Sequence, residues 1–362
     1  MEMQNRLALL TKTMQAANAD LAAIGPTANM RYLLDYAPHP DERLCLLLLS
    51  RHAARIVVPS LNAEEMAAHT DIELYRWTDA EGPQEALNQA MIGMSPVKKL
   101  AFDGEMRADF LAPVLAAAEP QETIPVERLL APIRARKSAT EIEALAVASA
   151  QADRAMQAAV QACLPGVTEM DVAWAAEIAF RLDGAEQVTF TLVASGPNGA
   201  YPHHHSSRRQ LRYGDAIIID IGASLNGYHS DITRMVFLGD PPEEILRTYE
   251  AVLEANERGR AAIRPGVAIQ EIDRITRGTL ENAGYGKYFI HRTGHGIGVE
   301  VHEPPWIMAG NEQLLEPGMA FSVEPGVYIP GKFGIRIEDI VVVTETGCHT
   351  LTSSSHQLVV KR

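Results

Sequence analysis

The stretch DIGASLNGYHSD, residues 220–231, follows the apolar run 216–219 and carries an aspartate at each end, eleven positions apart. Asn226-Gly227 separates two strand-like runs, and Asn-Gly is the preferred pair for a two-residue type I′ hairpin because both turn positions need positive φ. Such a turn pairs Leu225 with Tyr228, and counting outward sets Gly222 opposite Asp231. Side chains alternate along a strand, so Asp220 shares a face with Gly222 and becomes a diagonal neighbour of Asp231, roughly 7 Å away at the backbone. Two carboxylates that close repel unless a positive group lies between them. Gly222 leaves room for one divalent cation, or two. A plainer alternative also fits this segment taken alone: one buried aspartate taking backbone hydrogen bonds and one solvated hairpin aspartate.

The last third of the chain adds carboxylates in unexpected places. Glu324 in FSVEPGVYIP and Glu338 in GIRIEDIVVV each interrupt an apolar strand, and a turn near GKFG, between them, brings the two nearly opposite. An ionised carboxylate is almost never fully buried without a partner. Arg336 is the only nearby cation on the strand face of Glu338. Between the two acidic regions runs HRTGHGIGVEVHEPP, residues 291–305, where glycines 294, 296 and 298 bracket His295 and the following residues alternate as a strand does. A dinucleotide loop is ruled out, because the run after the glycines is strand-like and ends in Pro304-Pro305 where a helix should begin. Small residues let backbone approach a metal or substrate closely. Three histidines within twelve residues, His291, His295 and His302, point to function in a chain that already needs cations. His203, His204 and His205 are adjacent and cannot all aim at one point, so at most one or two of them contribute, and a solvated loop is an equal alternative.

Composition sets the outer bounds. The chain has 362 residues, 47% hydrophobic and 22% charged, the balance of an ordinary globular protein large enough for two domains. The net charge of −14 repels phosphate backbones and anionic lipid, and the densest basic patch, RARK at 134–137, is too short to offset it. Neither nucleic acid nor membrane is an expected partner. Three scattered cysteines in no metal-binding spacing, and an N-terminus without an apolar signal region, lead us to expect a cytoplasmic protein.

Residues 1–133 alternate helix-like and strand-like segments, an α/β unit with no catalytic constellation. Pro132 closes that unit, and Ser138 with Glu141 forms a capping box opening a long Ala-rich helix. Thr168 with Asp171 opens a second helix, whose Val172, Ala175, Ile178, Ala179 and Leu182 follow a 3.6 period up to Gly184. Helices near 242–263 and 269–282 flank Pro265-Gly266, and the remainder reads as strand and hairpin without internal repeats. Residues 134–362 thus form one α+β domain.

In IDIG, SDITR, HRTGHGIGVEVHE, SVEPGVYIP and GIRIEDIV, in that order, the chain resembles the pita-bread metallopeptidases of the Xaa-Pro dipeptidase (prolidase) and aminopeptidase P branch. The resemblance implies a creatinase-like N-terminal domain and a pita-bread catalytic domain. It implies two divalent ions on Asp220, Asp231, His295, Glu324 and Glu338, with Asp231 and Glu338 spanning both. It also implies that His302 and His291 contact the substrate or tetrahedral intermediate, that His203 lines the site, and that Arg336 supports it beside Glu338. A homodimer and a small peptide substrate with proline at the second position are further implications. The segment YLLDYAPHPDERLC fits the family's N-terminal loop only loosely, which leaves chain-length preference open. Four carboxylates and one imidazole suit Mn²⁺ or Co²⁺, with Zn²⁺ and Fe²⁺ as alternatives. Such an ion pair makes hydroxide available at neutral pH for attack on the scissile carbonyl, with Glu324 carrying the proton to the leaving nitrogen and His302 helping to hold the oxyanion. Two rival readings are hydrolysis of a non-peptide C–N bond in a small metabolite and a metal-free pseudoenzyme that binds a partner protein.

Overall fold

The structure is a computed structural model and describes residues 2–94 and 96–362. It divides into two compact units, one ending at Arg134 and one running from Ala135 to Arg362. The first is a mixed six-stranded sheet in the order Glu73–Trp77, Ala54–Pro59, Leu46–Ser50, Leu21–Ile24, Lys99–Phe102, Glu122–Pro125. Its core includes Leu46, Leu48, Val57, Leu100 and Phe110. The apolar runs Leu46–Ser50 and Ala54–Pro59 are strands. Pro132, however, lies inside the helix Glu127–Arg134 instead of closing the segment before it. A proline there forfeits one bond, to the carbonyl four residues earlier, in a helix that ends two residues later.

The second unit is built twice over. Helix Ala139–Ala162 is followed by Pro165-Gly166 and helix Glu169–Leu182; helix Glu243–Ala261 is followed by Pro265-Gly266 and helix Ile269–Asn282. In the first half Gly166 N donates to Leu211 O and Leu211 N to Val167 O; in the second, Gly266 N donates to Leu315 O and Leu315 N to Val267 O. Each ladder then leads into a strand, Ala216–Leu225 or Ala320–Val323, so Asp220 and Glu324 fall at corresponding places, each four residues past the strand's first alanine. The expectation of a chain without internal repeats is therefore corrected. The two halves share a backbone plan and only a few residue identities, such as Pro-Gly-Val at 165–167 and 265–267.

Both capping boxes form as expected, Ser138 with Glu141 and Thr168 with Asp171. The buried face of the second helix is rotated from the expected one. Val172, Ala173, Ala176 and Phe180 are buried, whereas Ile178 is 57% and Leu182 84% exposed. In an alanine-rich helix two neighbouring stripes look equally apolar, and Phe180, inserted among Val193, Ile219 and Val236, decides between them.

Candidate metal centre

The first hairpin forms in the expected register. Leu225 pairs with Tyr228 and Ser224 with His229, and beyond the aspartate Ile221 pairs with Ile232 and Asp220 with Thr233. Asn226 at φ 53° and Gly227 at φ 77° supply the two positive angles of the turn. Gly222 does not leave room for a cation. A Cβ built there would lie 2.7 Å from the Phe190 ring and 2.4 Å from the Ser230 carbonyl, so an aromatic side chain from the adjacent strand fills that space.

The second hairpin is longer than its sequence suggests. Gly326 pairs with Arg336 and Val323 with Asp339, one unbroken register on either side of Glu324 and Glu338. The two glutamates stand at the junction where the two-stranded sheet gives way to the five-stranded one. The hairpins then meet: Glu338 N donates to Thr233 O at 3.3 Å, and Thr233 Oγ1 donates to Glu338 Oε2 at 2.7 Å.

His295 enters from the strand Gly294–Gly296. That strand lies so close to its neighbour that a Cβ on Gly294 would sit 1.9 Å from the Ser322 carbonyl oxygen, which only glycine permits. The ring is fixed by Nδ1 donating to the Gly296 carbonyl at 3.1 Å, which leaves the Nε2 lone pair 3.3 Å from Glu324 and 3.6 Å from Asp231. This is the tautomer a metal-ligating imidazole adopts. The expected strand at 299–302 is instead a series of bends, and regular pairing resumes at Glu303–Ile307. Those bends carry the His302 ring edge-on to His295, with centroids 4.2 Å apart.

Three sets of side chains could each hold an ion, their ligand atoms within 4.8 Å of one another: Asp220, Asp231 and Glu338; His295, Glu324 and Glu338; and Asp231, His295 and His302. Glu338, Asp231 and His295 each belong to two sets. The fit to cations is direct, because Asp220 Oδ1 and Asp231 Oδ1 are buried with no hydrogen-bond partner among the described residues. Burial, then the charges of Glu338 and Asp220, push the Asp231 carboxyl well above the carboxylate range; burial and Glu324 do the same to Glu338. Burial and Asp220 raise Glu324 to about 7, against the lowering effect of Arg336. Burial lowers His295 to about 3, so it is neutral and ready to donate a lone pair.

A sign follows for the metal-free protein. A carboxyl raised above its unfolded value of about 4.3 contributes stability that is complete below that pH and lost as pH rises through the folded value, here about 7 for Glu324. Cations displace the protons and remove the repulsion. The melting-temperature increment on adding Mn²⁺ is therefore expected to grow from pH 5 to pH 7.5. An increment that is flat or shrinks over that range contradicts this origin of the raised values.

The other expected residues also face the same cavity, of about 840 Å³. His291 donates from Nδ1 to the Arg292 carbonyl at 2.7 Å and accepts at Nε2 from the Tyr328 hydroxyl at 2.9 Å, with Nδ1 4.0 Å from Glu324. His203 and His205 line the wall, while His204 turns away to the buried Glu169 at 3.0 Å. Arg336 is buried, and its ion pair goes to Asp220 at 2.5 Å instead of to Glu338; it also holds the Tyr328 hydroxyl at 2.8 Å and Thr233 Oγ1 at 3.1 Å. Tyr328 and Thr233 were not singled out from the sequence. Strand parity was a usable signal for Tyr328, which lies four residues past Glu324 and so on its face. Thr233 had no signal until the hairpins were seen to meet.

Paired carboxylates and a neutral imidazole around two shared acidic residues define a cation-binding hydrolase site. Residues 143–345 match the model of metallopeptidase family M24, and residues 6–136 match the creatinase/prolidase N-terminal domain. The chain is 39% identical to the probable dipeptidase PepE of Mycobacterium tuberculosis, over 98% of this chain and 96% of that one. It is 33% identical to the Xaa-Pro dipeptidase of Pyrococcus furiosus, over 99% and 100%. The solved structure of dipeptidase PepE from Mycobacterium ulcerans superposes with a TM-score of 0.92 at 38% identity, covering 99% of this chain and 98% of that one. The chain belongs to metallopeptidase family M24, with a creatinase-type N-terminal domain and a pita-bread catalytic domain.

Proposed function

We propose that this protein is a cytoplasmic peptidase that hydrolyses the bond preceding proline, as a Xaa-Pro dipeptidase or aminopeptidase, using two divalent ions held by Asp220, Asp231, His295, Glu324 and Glu338. The observation that carries it is the pair of buried, unpartnered oxygens, Asp220 Oδ1 and Asp231 Oδ1, within a donor set of four carboxylates and one imidazole. That set suits Mn²⁺ or Co²⁺ before Zn²⁺ or Fe²⁺. The names of the relatives, dipeptidase and Xaa-Pro dipeptidase, support the substrate class.

Ions bound there supply Lewis acidity, lowering the pKa of water and offsetting charge on the attacked carbonyl oxygen. The chain's own groups do the rest. Glu324 takes the proton released at the attacking water and delivers it to the leaving proline nitrogen. His302, whose pKa is lowered chiefly by partial desolvation, donates to the developing oxyanion. His291, locked between Tyr328 and its own chain, borders Glu324 and meets the substrate there, while His203 forms part of the wall. Arg336 and Thr233 hold Asp220 and Glu338 in place. A prolyl amide has no N–H to grip, so the ring must be recognised by shape, and Phe190 and Leu192 provide an apolar wall.

Protein stripped with EDTA is expected to be inactive on Ala-Pro and to recover with Mn²⁺ or Co²⁺. Full activity of metal-free protein, or no turnover of any Xaa-Pro peptide by metal-loaded protein, overturns the proposal.

A further inference from the structure

The three consecutive histidines near the cavity do not face one way: His203 and His205 line its wall, and His204 turns back to Glu169. Glu169 is fully buried at the first position of the helix Glu169–Leu182 and forms no part of the cavity lining. Its carboxylate gathers the segment 195–207. Oε1 accepts Ser195 N at 2.8 Å, Ser195 Oγ at 2.6 Å and Asn198 Nδ2 at 3.0 Å. Oε2 accepts Ser207 N at 3.1 Å, Ser207 Oγ at 2.6 Å and His204 Nε2 at 3.0 Å. Each oxygen therefore fastens one end of the segment, while Asn198 and His204 fasten its interior. Burial works to raise the Glu169 carboxyl, but the donors from Ser195 and Ser207 outweigh it and hold it below the usual carboxylate range. An ionised carboxylate only accepts, so His204 carries its proton on Nε2.

The chain is also held on either side of the histidines. Arg336 reaches the Pro202 carbonyl at 3.3 Å, and Ser206 Oγ accepts from Val193 N at 2.8 Å and donates to the Thr191 carbonyl at 2.9 Å. Between these points His204 is tied by its backbone to the Tyr201 carbonyl and by its ring to Glu169. Adjacent side chains of a non-helical backbone project to different sides, so a bond that commits His204 to the helix turns its neighbours toward the cavity. His203 then stands within electrostatic reach of His291 and His302, each of which it depresses. The second half of the unit carries a similar device. Asp273, buried on the helix Ile269–Asn282, accepts Thr293 Oγ1 at 2.7 Å and Arg277 Nη2 at 3.0 Å, and Arg277 donates to the Phe289 carbonyl at 2.9 Å and the His291 carbonyl at 2.8 Å. In both halves the second helix thus bears one buried carboxylate that organises a segment carrying a cavity histidine.

We infer that Glu169 and His204 are positioning residues for the reaction: their pairing commits the middle histidine of the three to the interior and thereby presents His203 to the cavity. The inference rests on the Xaa-Pro reading above and adds to it two residues that do not meet the substrate. Glu169→Gln sets amide donors against the Ser195 and Ser207 donors in a fully buried place and tests folding as much as function, so the partly buried His204 carries the experiment. With metal-loaded protein on Ala-Pro, His204→Ala is expected to lower kcat/KM roughly 10- to 100-fold with bound metal unchanged. His204→Gln, whose amide can donate to the Glu169 carboxylate, is expected to recover most of that loss. In a His203→Ala background the His204→Ala change is expected to cost no more than about 2-fold, since the group it positions is already gone. Independently of turnover, the ring nitrogen signals of His204 in metal-free protein are expected to show a protonated Nε2. A His204→Ala variant with parental kcat/KM, or an unprotonated Nε2, overturns the assignment. So does an equal loss with and without His203, or a loss of bound metal along with the activity, since either marks a general structural role. Failure of the parent to cleave any Xaa-Pro peptide overturns the Xaa-Pro reading and this inference with it, a result distinct from an active parent whose His204 variant is unimpaired.

Discussion

Glu338→Gln is expected to lower kcat on Ala-Pro by at least about 100-fold at saturating Mn²⁺ while leaving the metal-free protein as stable as the parent, or more stable. Loss of an outer partner of a metal ligand typically costs about 10- to 100-fold, and loss of a ligand belonging to two ion-holding sets exceeds that. Stability moves the other way. Glu338 is the largest of the charges that raise Asp231, and it is itself raised by burial and by Glu324 and Asp220. Removing one charge from that group relieves repulsion, and the amide oxygen can still accept the Thr233 hydroxyl that now lies 2.7 Å from Oε2. A variant that merely misfolds loses activity and stability together. The check is kcat and bound metal in one assay and melting temperature in EDTA in the other. Retention of more than a tenth of the activity, or a melting temperature well below that of the stripped parent, contradicts the role given to Glu338.

Lys137→Met is expected to destabilise the protein by about 3–5 kcal/mol, the cost of breaking a buried ion pair from one side. Lys137 Nζ lies 2.8 Å from Glu303 Oε1, both side chains are 1% exposed, and Lys137 N donates to the Gly318 carbonyl. Glu303 follows His302 directly and begins the strand that carries Trp306, so its charge must stay compensated for that strand to keep its place. In a unit of this size each kcal/mol moves the melting temperature by about 2–4 °C, so the fall should be roughly 6–20 °C. The double variant Lys137→Met/Glu303→Gln should recover part of it, because no buried charge is then left without its counter-ion. A double variant as unstable as the single one shows that packing of the lysine stem, and not charge, is what the pair contributes.

Much of this site was legible in the sequence because its signals are local. A hairpin register follows from a turn and a parity rule, so Asn226-Gly227 was enough to bring Asp220 near Asp231. The same arithmetic placed Glu324 close to Glu338 across a turn. Carboxylates inside apolar strands stand out because burial without a partner is costly. The two capping boxes were readable for the same reason, each being contained within four residues.

What failed did so where neighbours from elsewhere in the chain decide. Gly222 was read as space for an ion, and Phe190 from the next strand occupies it. The buried stripe of the helix Glu169–Leu182 turned on what packs against Phe180. That Arg336 pairs with Asp220, 116 positions away, could not be read from its own strand. The duplication of the catalytic unit was invisible because backbone bonds such as Gly166 to Leu211 and Gly266 to Leu315 specify a path, not side chains.

The sequence by itself determined the acidic and imidazole groups of the site, their pairing within hairpins and the strands that carry them, since those depend on turn chemistry and side-chain alternation over a few residues. Only the tertiary structure decided that the two hairpins meet at Thr233 and Glu338, that His295 turns Nε2 toward them, and that the Arg292 guanidinium stacks over Trp306. Those facts depend on distances between segments far apart in the chain, which no local rule encodes, and they are what turn separate carboxylates into one centre.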